Sequence, residues 1–244
     1  MILKLRTKFA QEDGLNRVHK FCLDTVADRH LFHSMLRIAS VAQGMITKGQ
    51  PMIRHLPMFL SGLTAGRSLP SVAPQPFRDI LPTIKQDVPN PKGKIAIFTG
   101  CLLDIATDVV KALNMAGYIV EMPLGQACCG APATYMGDVE NAKKAAEMNL
   151  NAMEAEKYDY IVSACPTCTH ALRDYVDFFK DNPEMLKKAE ELRSKTFDFC
   201  KLVSMLGGLP DTGDGVPMKV TYHDSCHLNR YLGVTKEQRE LLKA

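Results

Sequence analysis

The stretch YDYIVSACPTC, residues 158–168, runs from an apolar segment into two cysteines that are separated by two residues. The part before the cysteines is rich in β-branched and aromatic side chains, which is typical of a short buried strand. The segments KIAIFTG at 94–100, YIVEMP at 118–123 and MKVTYH at 218–223 have the same character, and helical periodicity fills the intervals between them. Strands that alternate with helices predict an α/β fold, with a mainly parallel Rossmann-like sheet and flanking helices.

The residues before the first predicted strand follow a different pattern. We predict a helix over residues 15–46, because apolar side chains recur there at helical spacing. Its apolar stripe consists of Leu31, Met35, Ile38 and Ala42. Six of the fourteen prolines then fall between Pro70 and Pro91, which is typical of an extended connector. We therefore expect an N-terminal helical segment at 1–66, a Pro-rich linker at 67–93 and a cysteine-rich α/β domain at 94–244.

Composition and charge narrow the class of protein. Apolar residues make up 46% of the chain and charged residues 23%, as in globular proteins. A net charge of +3 and the lack of a base-reading motif argue against nucleic acid as a partner. No apolar run is long enough to span a membrane, and the first residues do not resemble a signal peptide. We therefore expect a cytoplasmic protein whose thiols stay reduced.

The cysteines fall where the predicted strands end. The loops after the first three strands carry Cys101, Cys128, Cys129, Cys165 and Cys168. The carboxyl ends of parallel strands lie at one edge of a sheet, and open α/β sheets bind their ligands there. We therefore expect these five sulfurs to meet in one small volume, with Cys226 after the fourth strand as a further candidate.

Such a set of thiols points to a soft metal. Thiolates select zinc, cuprous copper or iron–sulfur clusters. A structural zinc ion takes four ligands, and the adjacent pair Cys128 and Cys129 fits one tetrahedral ion poorly. A cluster with several irons removes that difficulty, because neighbouring thiolates can reach different irons. The flanking Gly125 and Gly130 permit unusual backbone angles. A zinc-stapled interaction module remains the alternative at this point.

The cysteine pattern resembles the cysteine-rich CCG-domain family. That family includes the cysteine-rich subunit of heterodisulfide reductase, the glycolate oxidase iron–sulfur subunit, the lactate-utilisation iron–sulfur protein and the iron–sulfur subunit of anaerobic glycerol-3-phosphate dehydrogenase. Its pattern is one Cys, then Cys-Cys-Gly, then Cys-x-x-Cys, usually present twice. The first copy here consists of Cys101, Cys128-Cys129-Gly130 and Cys165-Pro166-Thr167-Cys168. The segments GQACCGAPATYMGD at 125–138 and YDYIVSACPTCTHAL at 158–172 most resemble the glycolate/lactate oxidase type.

The resemblance implies a cofactor. It is a [4Fe-4S] cluster, of the noncubane type found in the heterodisulfide reductase member of the family or a related one. The resemblance places it on Cys101, Cys128, Cys129, Cys165 and Cys168.

The resemblance also implies a role and partners. The chain is expected to be the iron–sulfur electron-transfer subunit of an oxidoreductase that oxidises glycolate, lactate or glycerol 3-phosphate. Electrons would come from a flavoprotein dehydrogenase subunit and pass, with other iron–sulfur subunits, toward a quinone or another carrier. Substrate chemistry then belongs to a partner, and the complex can bring the chain to the inner face of the membrane. A heterodisulfide reductase-like subunit that cleaves disulfides on its cluster is the alternative.

Three features depart from the family pattern. The interval from Cys101 to Cys128 is about five residues shorter than the family usually shows. The segment YHDSCHL at 222–228 resembles the opening of the second copy, whose remaining motifs do not follow. Relatives often carry a ferredoxin-like Cys-x-x-Cys-x-x-Cys region upstream, and nothing in this sequence matches it. We therefore expect a chain that is truncated at both ends. Cys226 would be a metal ligand in a complete second copy, and in this chain we expect a free thiol.

The other cysteines and the histidines near the motifs have simpler explanations. Cys22 and Cys200 lie in helical patterns and are expected to be buried thiols without a ligand. His170 follows the Cys-x-x-Cys motif and is a candidate outer partner of the cluster. His223 and His227 flank Cys226, and a structural role is favoured for both.

Overall fold

The computed structural model describes residues 2–47, 52–53, 69–70, 75–100, 106–210 and 219–243. A two-residue antiparallel pairing joins β1 (Met52–Ile53) to β2 (Leu69–Pro70). The main sheet has four parallel strands in the order β4-β3-β5-β6. These strands are β3 (Gly93–Ile97), β4 (Tyr118–Glu121), β5 (Tyr160–Ser163) and β6 (Thr196–Asp198). The predicted α/β class with a parallel sheet and flanking helices is confirmed.

Helices cover both faces of this sheet. They are α4 (Phe77–Ile80), α5 (Ala106–Met115), α6 (Ala131–Met136), α7 (Val139–Met153), α8 (Pro166–Asp174), α9 (Pro183–Lys195), α10 (Phe199–Met205) and α11 (Glu237–Leu241). Alternate residues of β3 point into opposite layers, as the period of a strand requires. Ala96 belongs to the core shared with α7, α8 and α9, whereas Ile95 and Ile97 belong to the core shared with α5 and α10.

The fourth predicted strand is wrong. Residues 219–223 of the segment MKVTYH form no regular structure, and Met218 lies outside the described residues. The fourth strand is instead β6, which lies inside a region predicted as one continuous helix. With three residues β6 is too short to show a strand period. Its Thr196 and Asp198 are both buried, and Thr196 Oγ1 donates a 2.6 Å hydrogen bond to the Leu192 carbonyl at the end of α9.

The N-terminal region is helical, as predicted, but the helix expected at 15–46 is interrupted. Its helices are α1 (Ile2–Glu12), α2 (Arg17–Ala27) and α3 (Arg29–Thr47). Asp28 separates α2 from α3 with an extended backbone, and its Oδ1 accepts a 3.0 Å hydrogen bond from Leu31 N. A carboxylate in this place starts the second helix by satisfying one of its free N–H groups.

The predicted apolar stripe on this helix is not buried. Leu31, Met35 and Ile38 are 45%, 41% and 69% exposed. The N-terminal region contacts the α/β part elsewhere, where Leu23 packs with Ala133 and Ala142. The domain boundaries at 66 and 93 stay a prediction. In the described part of the chain, no helix is both long enough and apolar enough to cross a bilayer.

Asp198 gives the fold a predictable pH dependence. Its buried carboxylate caps α10 by accepting a 2.9 Å hydrogen bond from Cys200 N. Burial raises the pKa of Asp198 to about 6, and the charge of Glu237 acts in the same direction. An unfolded Asp has a pKa near 3.9, so the folded state holds the proton more tightly. The fold is therefore stabilised as pH falls from about 6 to about 4, because Asp198 takes up a proton. Above about pH 6 the folded state bears the full free-energy cost of burying this charge.

We expect Asp198→Asn to raise the free energy of unfolding at pH 7 by about 1–2 kcal/mol, because the amide oxygen can still cap the helix while the buried charge is gone. The variant should also lose part of the pH dependence between about pH 4 and pH 6. Urea unfolding at a series of pH values measures both effects, with the exposed Asp87→Asn as control. An unchanged slope in Asp198→Asn would show that this carboxylate does not titrate in that window.

Candidate metal centre

The loop after β4 carries the cysteine doublet and is held against the end of β3. Cys128 and Cys129 are each 4% exposed. The side chain of Gln126 makes the connection: its Nε2 donates to the Ile97 carbonyl at 2.8 Å, and its Oε1 accepts from Thr99 N at 3.1 Å. Gln126 thus brings the doublet to the carboxyl edge of the sheet, where the sequence predicted it.

The loop after β5 delivers the second pair of sulfurs through the start of a helix. Cys165 is the N-cap residue of α8, and Pro166 occupies the first turn, where its missing N–H costs nothing. Cys168 follows three residues later. Side chains three apart on a helix lie on one face, so both sulfurs point from the same end of α8. Cys168 is buried and Cys165 is partly exposed.

The two loops bring their sulfurs into contact. The Cys168 thiol makes hydrogen bonds with both Cys129 and Cys165. Cys128 is the buried neighbour of this group, and after burial itself Cys129, Cys128 and Cys168 all act to raise the pKa of the Tyr175 hydroxyl. The expected convergence is therefore present for the cysteines of these two loops. Cys101 lies outside the described residues.

Proton affinities differ sharply within the sulfur group. A hydrogen bond with Cys168, together with the backbone N–H groups of Cys168 and Thr167, lowers the pKa of Cys165 to about 6. The pKa of Cys168 is raised well above the usual value by its hydrogen bonds with Cys129 and Cys165 and by burial. At neutral pH the group therefore holds a thiolate at Cys165 beside a thiol at Cys168. Thiolate is the form that binds metal.

A glycine after β3 lies close to the sulfurs. Gly100 has a φ of +62°, and a Cβ at this position would lie 3.0 Å from Cys168 Sγ. The backbone at the end of β3 thus passes close to the sulfur group, where a side chain would fill the space. Within the residues that the structure describes, no three His, Cys, Asp or Glu side chains are arranged around a single metal ion. The thiol-rich donor set fits an iron–sulfur cluster by its chemistry.

Two residues that the sequence did not reveal support the doublet from behind. Asn149 on α7 accepts a hydrogen bond from Ala127 N at 2.8 Å and donates to the Cys128 carbonyl at 2.9 Å. Tyr175, after α8, donates from its hydroxyl to the Cys129 carbonyl at 3.0 Å. Neither residue is part of a cysteine motif, and Asn149 lies among residues whose periodicity only indicated a core-facing helix.

Aromatic and imidazole rings lie beside the sulfur group. The Tyr135 hydroxyl is 3.4 Å from His227 Nε2, and His227 stacks on Tyr231 with ring centroids 5.3 Å apart. The ring of His170 is 4.3 Å from that of Tyr231, and its Nε2 is 3.1 Å from Asp174 Oδ2. His170 was predicted as an outer partner of the cluster. The structure pairs it with Asp174 and these rings, and its role toward a cluster stays a prediction.

The remaining predicted residues lie apart from this group or on the surface. Cys226 is exposed and does not follow a strand, and the free thiol expected here stays a prediction. Cys22 is exposed on α2, so its expected burial is wrong. Cys200 is partly buried, and burial raises the pKa of its thiol to about 11. His223 is exposed and ends no strand, because the segment before it is irregular.

Comparisons with known proteins agree with the cysteine pattern. Residues 95–173 match the family model described as a cysteine-rich domain, CCG. The chain is 38% identical to lactate utilization protein A of Bacillus velezensis over 155 residues, which cover 62% of this chain and 64% of the relative. It is 38% identical to lactate utilization protein A of Bacillus subtilis over 154 residues, which cover 61% of this chain and 64% of that relative.

A third relative, lactate utilization protein A of Bacillus licheniformis, is 34% identical over 155 residues. The match covers 62% of this chain and 64% of that relative. The matched region thus spans a little under two thirds of the length of these relatives. No solved structure shows a significant match to the chain. Residues 95–173 are thus similar to the cysteine-rich CCG domain, and this region contains the contacting sulfurs.

Proposed function

We propose that the chain is an iron–sulfur electron-transfer subunit, with a cluster held by Cys101, Cys128, Cys129, Cys165 and Cys168. One observation carries the proposal. Thiols from two loops far apart in the sequence are in mutual contact at the carboxyl edge of the sheet, and three of the four in these loops are almost fully buried. Buried thiols that face one another are a poor core but a good ligand set for soft metals.

The residues of the chain would prepare this set for an iron–sulfur cluster, which supplies one-electron transfer when bound. The N–H groups of Thr167 and Cys168 point at Cys165 Sγ and stabilise negative charge there. Burial of Cys128, Cys129 and Cys168 keeps water from the sulfurs. Hydrogen bonds to sulfur and exclusion of solvent are two of the means by which a protein sets a cluster's potential. We propose the [4Fe-4S] noncubane type or a related cluster, which the family resemblance implies; the adjacent cysteines themselves favour only a cluster with several irons.

The relatives support a place for this subunit in the oxidation of 2-hydroxy acids. They are named for lactate utilization, and the sequence motifs most resemble the glycolate/lactate type. We propose that a flavoprotein partner oxidises lactate, glycolate or a related substrate and passes electrons to this chain. Other iron–sulfur subunits then carry them toward a quinone or another acceptor. The proposed location is the cytoplasm, at the inner membrane face when the complex docks there.

A second function is worth testing because Cys165 is partly exposed. A sulfur that solvent can reach would let a small disulfide approach the cluster, as the heterodisulfide reductase-like alternative requires. The two functions differ in what the chain does alone. Steady reduction of a disulfide substrate by the isolated, reduced and iron-loaded chain would favour the alternative, whereas the electron-transfer function predicts no turnover without a partner.

Anaerobic metal analysis of the full chain tests the main proposal directly. After reconstitution with iron and sulfide we expect about four irons and about four sulfides per chain, with a paramagnetic signal in one redox state. Electron paramagnetic resonance and colorimetric iron and sulfide assays provide the measurements. About one zinc per chain, with neither iron nor sulfide, would refute the cluster and favour the zinc-stapled interaction module.

A further inference from the structure

A closed hydrogen-bond network lies directly behind the cysteine doublet. Asn149 is fully buried, and Tyr175 is 1% exposed. Asn149 Oδ1 accepts from Ala127 N at 2.8 Å, and Asn149 Nδ2 donates to the Cys128 carbonyl and to the Tyr175 hydroxyl, each at 2.9 Å. The Tyr175 hydroxyl in turn donates to the Cys129 carbonyl at 3.0 Å.

Every polar atom of both side chains takes part in the network. The amide of Asn149 has two N–H donors, and each of them has an acceptor. The hydroxyl of Tyr175 accepts one hydrogen bond and donates one. Apart from the hydrogen bond between the two side chains, every hydrogen bond of the network ends on the backbone of residues 127–129. Buried polar groups are costly unless they are bonded, so a buried Asn and Tyr whose bonds all serve one loop are best explained by that loop.

The cysteine doublet needs such support. Two adjacent residues send their side chains in different directions, and the orientation of the peptide between them decides where the sulfurs point. The network bonds the N–H of Ala127 and the carbonyl groups of Cys128 and Cys129, and so orients the peptide between the two cysteines and the peptide that follows them. It also gives each of the two carbonyl oxygens a hydrogen-bond donor.

We propose that Asn149 and Tyr175 are positioning residues, which hold the doublet ready for metal before a cluster binds and which influence its potential afterwards. This inference rests on the proposed function, since it concerns the same sulfurs. It goes further by assigning roles to two residues outside every cysteine motif. The alternative is that both side chains merely fill the core beside Leu172 and Phe179.

Conservative variants separate positioning from packing. Tyr175→Phe removes one oxygen and keeps the ring, and Asn149→Asp keeps the shape while removing both donors at neutral pH. Tyr158→Phe is the matched control. Tyr158 belongs to the same hydrophobic core, but its hydroxyl interacts with Glu121 and not with the doublet loop.

The first measurement uses the full chain without metal. Hydrogen–deuterium exchange of the amides at residues 127–130 should be about tenfold faster in Tyr175→Phe and Asn149→Asp than in the wild type, because each variant loses bonds that close the loop. Tyr158→Phe should exchange like the wild type there. If the loop amides of all four proteins exchange alike, the network does not hold the loop and the proposal is overturned.

The second measurement uses the iron-loaded chain. Tyr175→Phe should bind iron but show a lower midpoint potential and a changed paramagnetic spectrum, since the Cys129 carbonyl loses its donor. Asn149→Asp should lose more than about half of its iron. Wild-type potential, spectrum and iron content in both variants would overturn the positioning role. Failure of the wild type itself to bind iron would instead refute the proposed function, and the exchange result on the metal-free chain would still stand on its own.

Discussion

Cys165→Ser and Cys128→Ser should each lose most of the iron that the wild-type chain binds. The Cys165 sulfur is a thiolate at neutral pH, because hydrogen bonds lower its pKa to about 6. A serine hydroxyl at the same place stays protonated and is a hard donor, so it cannot replace a thiolate toward iron. We expect an affinity for iron at least about tenfold lower in each variant, with a folded chain by circular dichroism.

Cys200→Ser is the control for this pair of variants. Cys200 lies on α10, and burial raises the pKa of its thiol to about 11, so it is protonated and inert at neutral pH. Its replacement should leave the iron content unchanged. Loss of the cluster in Cys200→Ser, or full iron content in Cys165→Ser, would show that the ligand set is assigned to the wrong cysteines. Iron per chain and the charge-transfer absorbance of the loaded protein provide the comparison.

The sequence predicted the parts of the fold that repeat a strong pattern. Strands β3, β4 and β5 lie where continuous apolar runs end in glycine, proline or cysteine, and buried parallel strands require such runs. Strand β6 was not predicted, because its three residues between two helices are too few to show the alternation of a strand. The competing segment at 218–223 alternates polar and apolar residues and looks like a strand, yet Val220 is 62% exposed. A pattern cannot show whether a segment finds a neighbour to pair with.

The same limit applies to the N-terminal helices. The spacing of Leu31, Met35 and Ile38 predicted a helix correctly, since spacing reports the local period. It did not predict that this face would be exposed, because burial depends on what other parts of the chain cover it. Likewise Asp28 is one polar residue within a long segment whose apolar residues recur at helical spacing. Its capping bond to Leu31 N and the extended backbone at that position split the helix.

The candidate site was predictable as far as topology determines it. Cysteines after neighbouring parallel strands meet at one edge whatever the side-chain details, and the contacts among Cys129, Cys165 and Cys168 follow from that rule. The support by Asn149 and Tyr175 was not predictable. It joins residues that are twenty or more positions from the doublet, through hydrogen bonds that depend on the packing of α7 against the loop.

Gly130→Ala should destabilise the chain far more than its backbone conformation alone explains. Gly130 follows the doublet directly and has a φ of +78°, a region that costs other residues about 1 kcal/mol or more. An added Cβ would also lie 3.2 Å from the Ala142 carbonyl oxygen and 3.4 Å from Ala145 Cβ, both on α7. Either α7 or the loop must shift, so we expect a loss of about 2–4 kcal/mol in the free energy of unfolding.

Gly208→Ala separates the two causes. Gly208 has a φ of +88°, but nothing lies within 4 Å of the Cβ that it lacks. This variant should therefore lose only about 1 kcal/mol, from backbone strain. Urea unfolding of the two metal-free variants measures the difference, and iron content should fall in Gly130→Ala alone because its shift moves Cys129. Equal losses of stability in the two variants would mean that α7 does not confine the doublet loop, and that the sulfurs are held in place by the metal rather than by the fold.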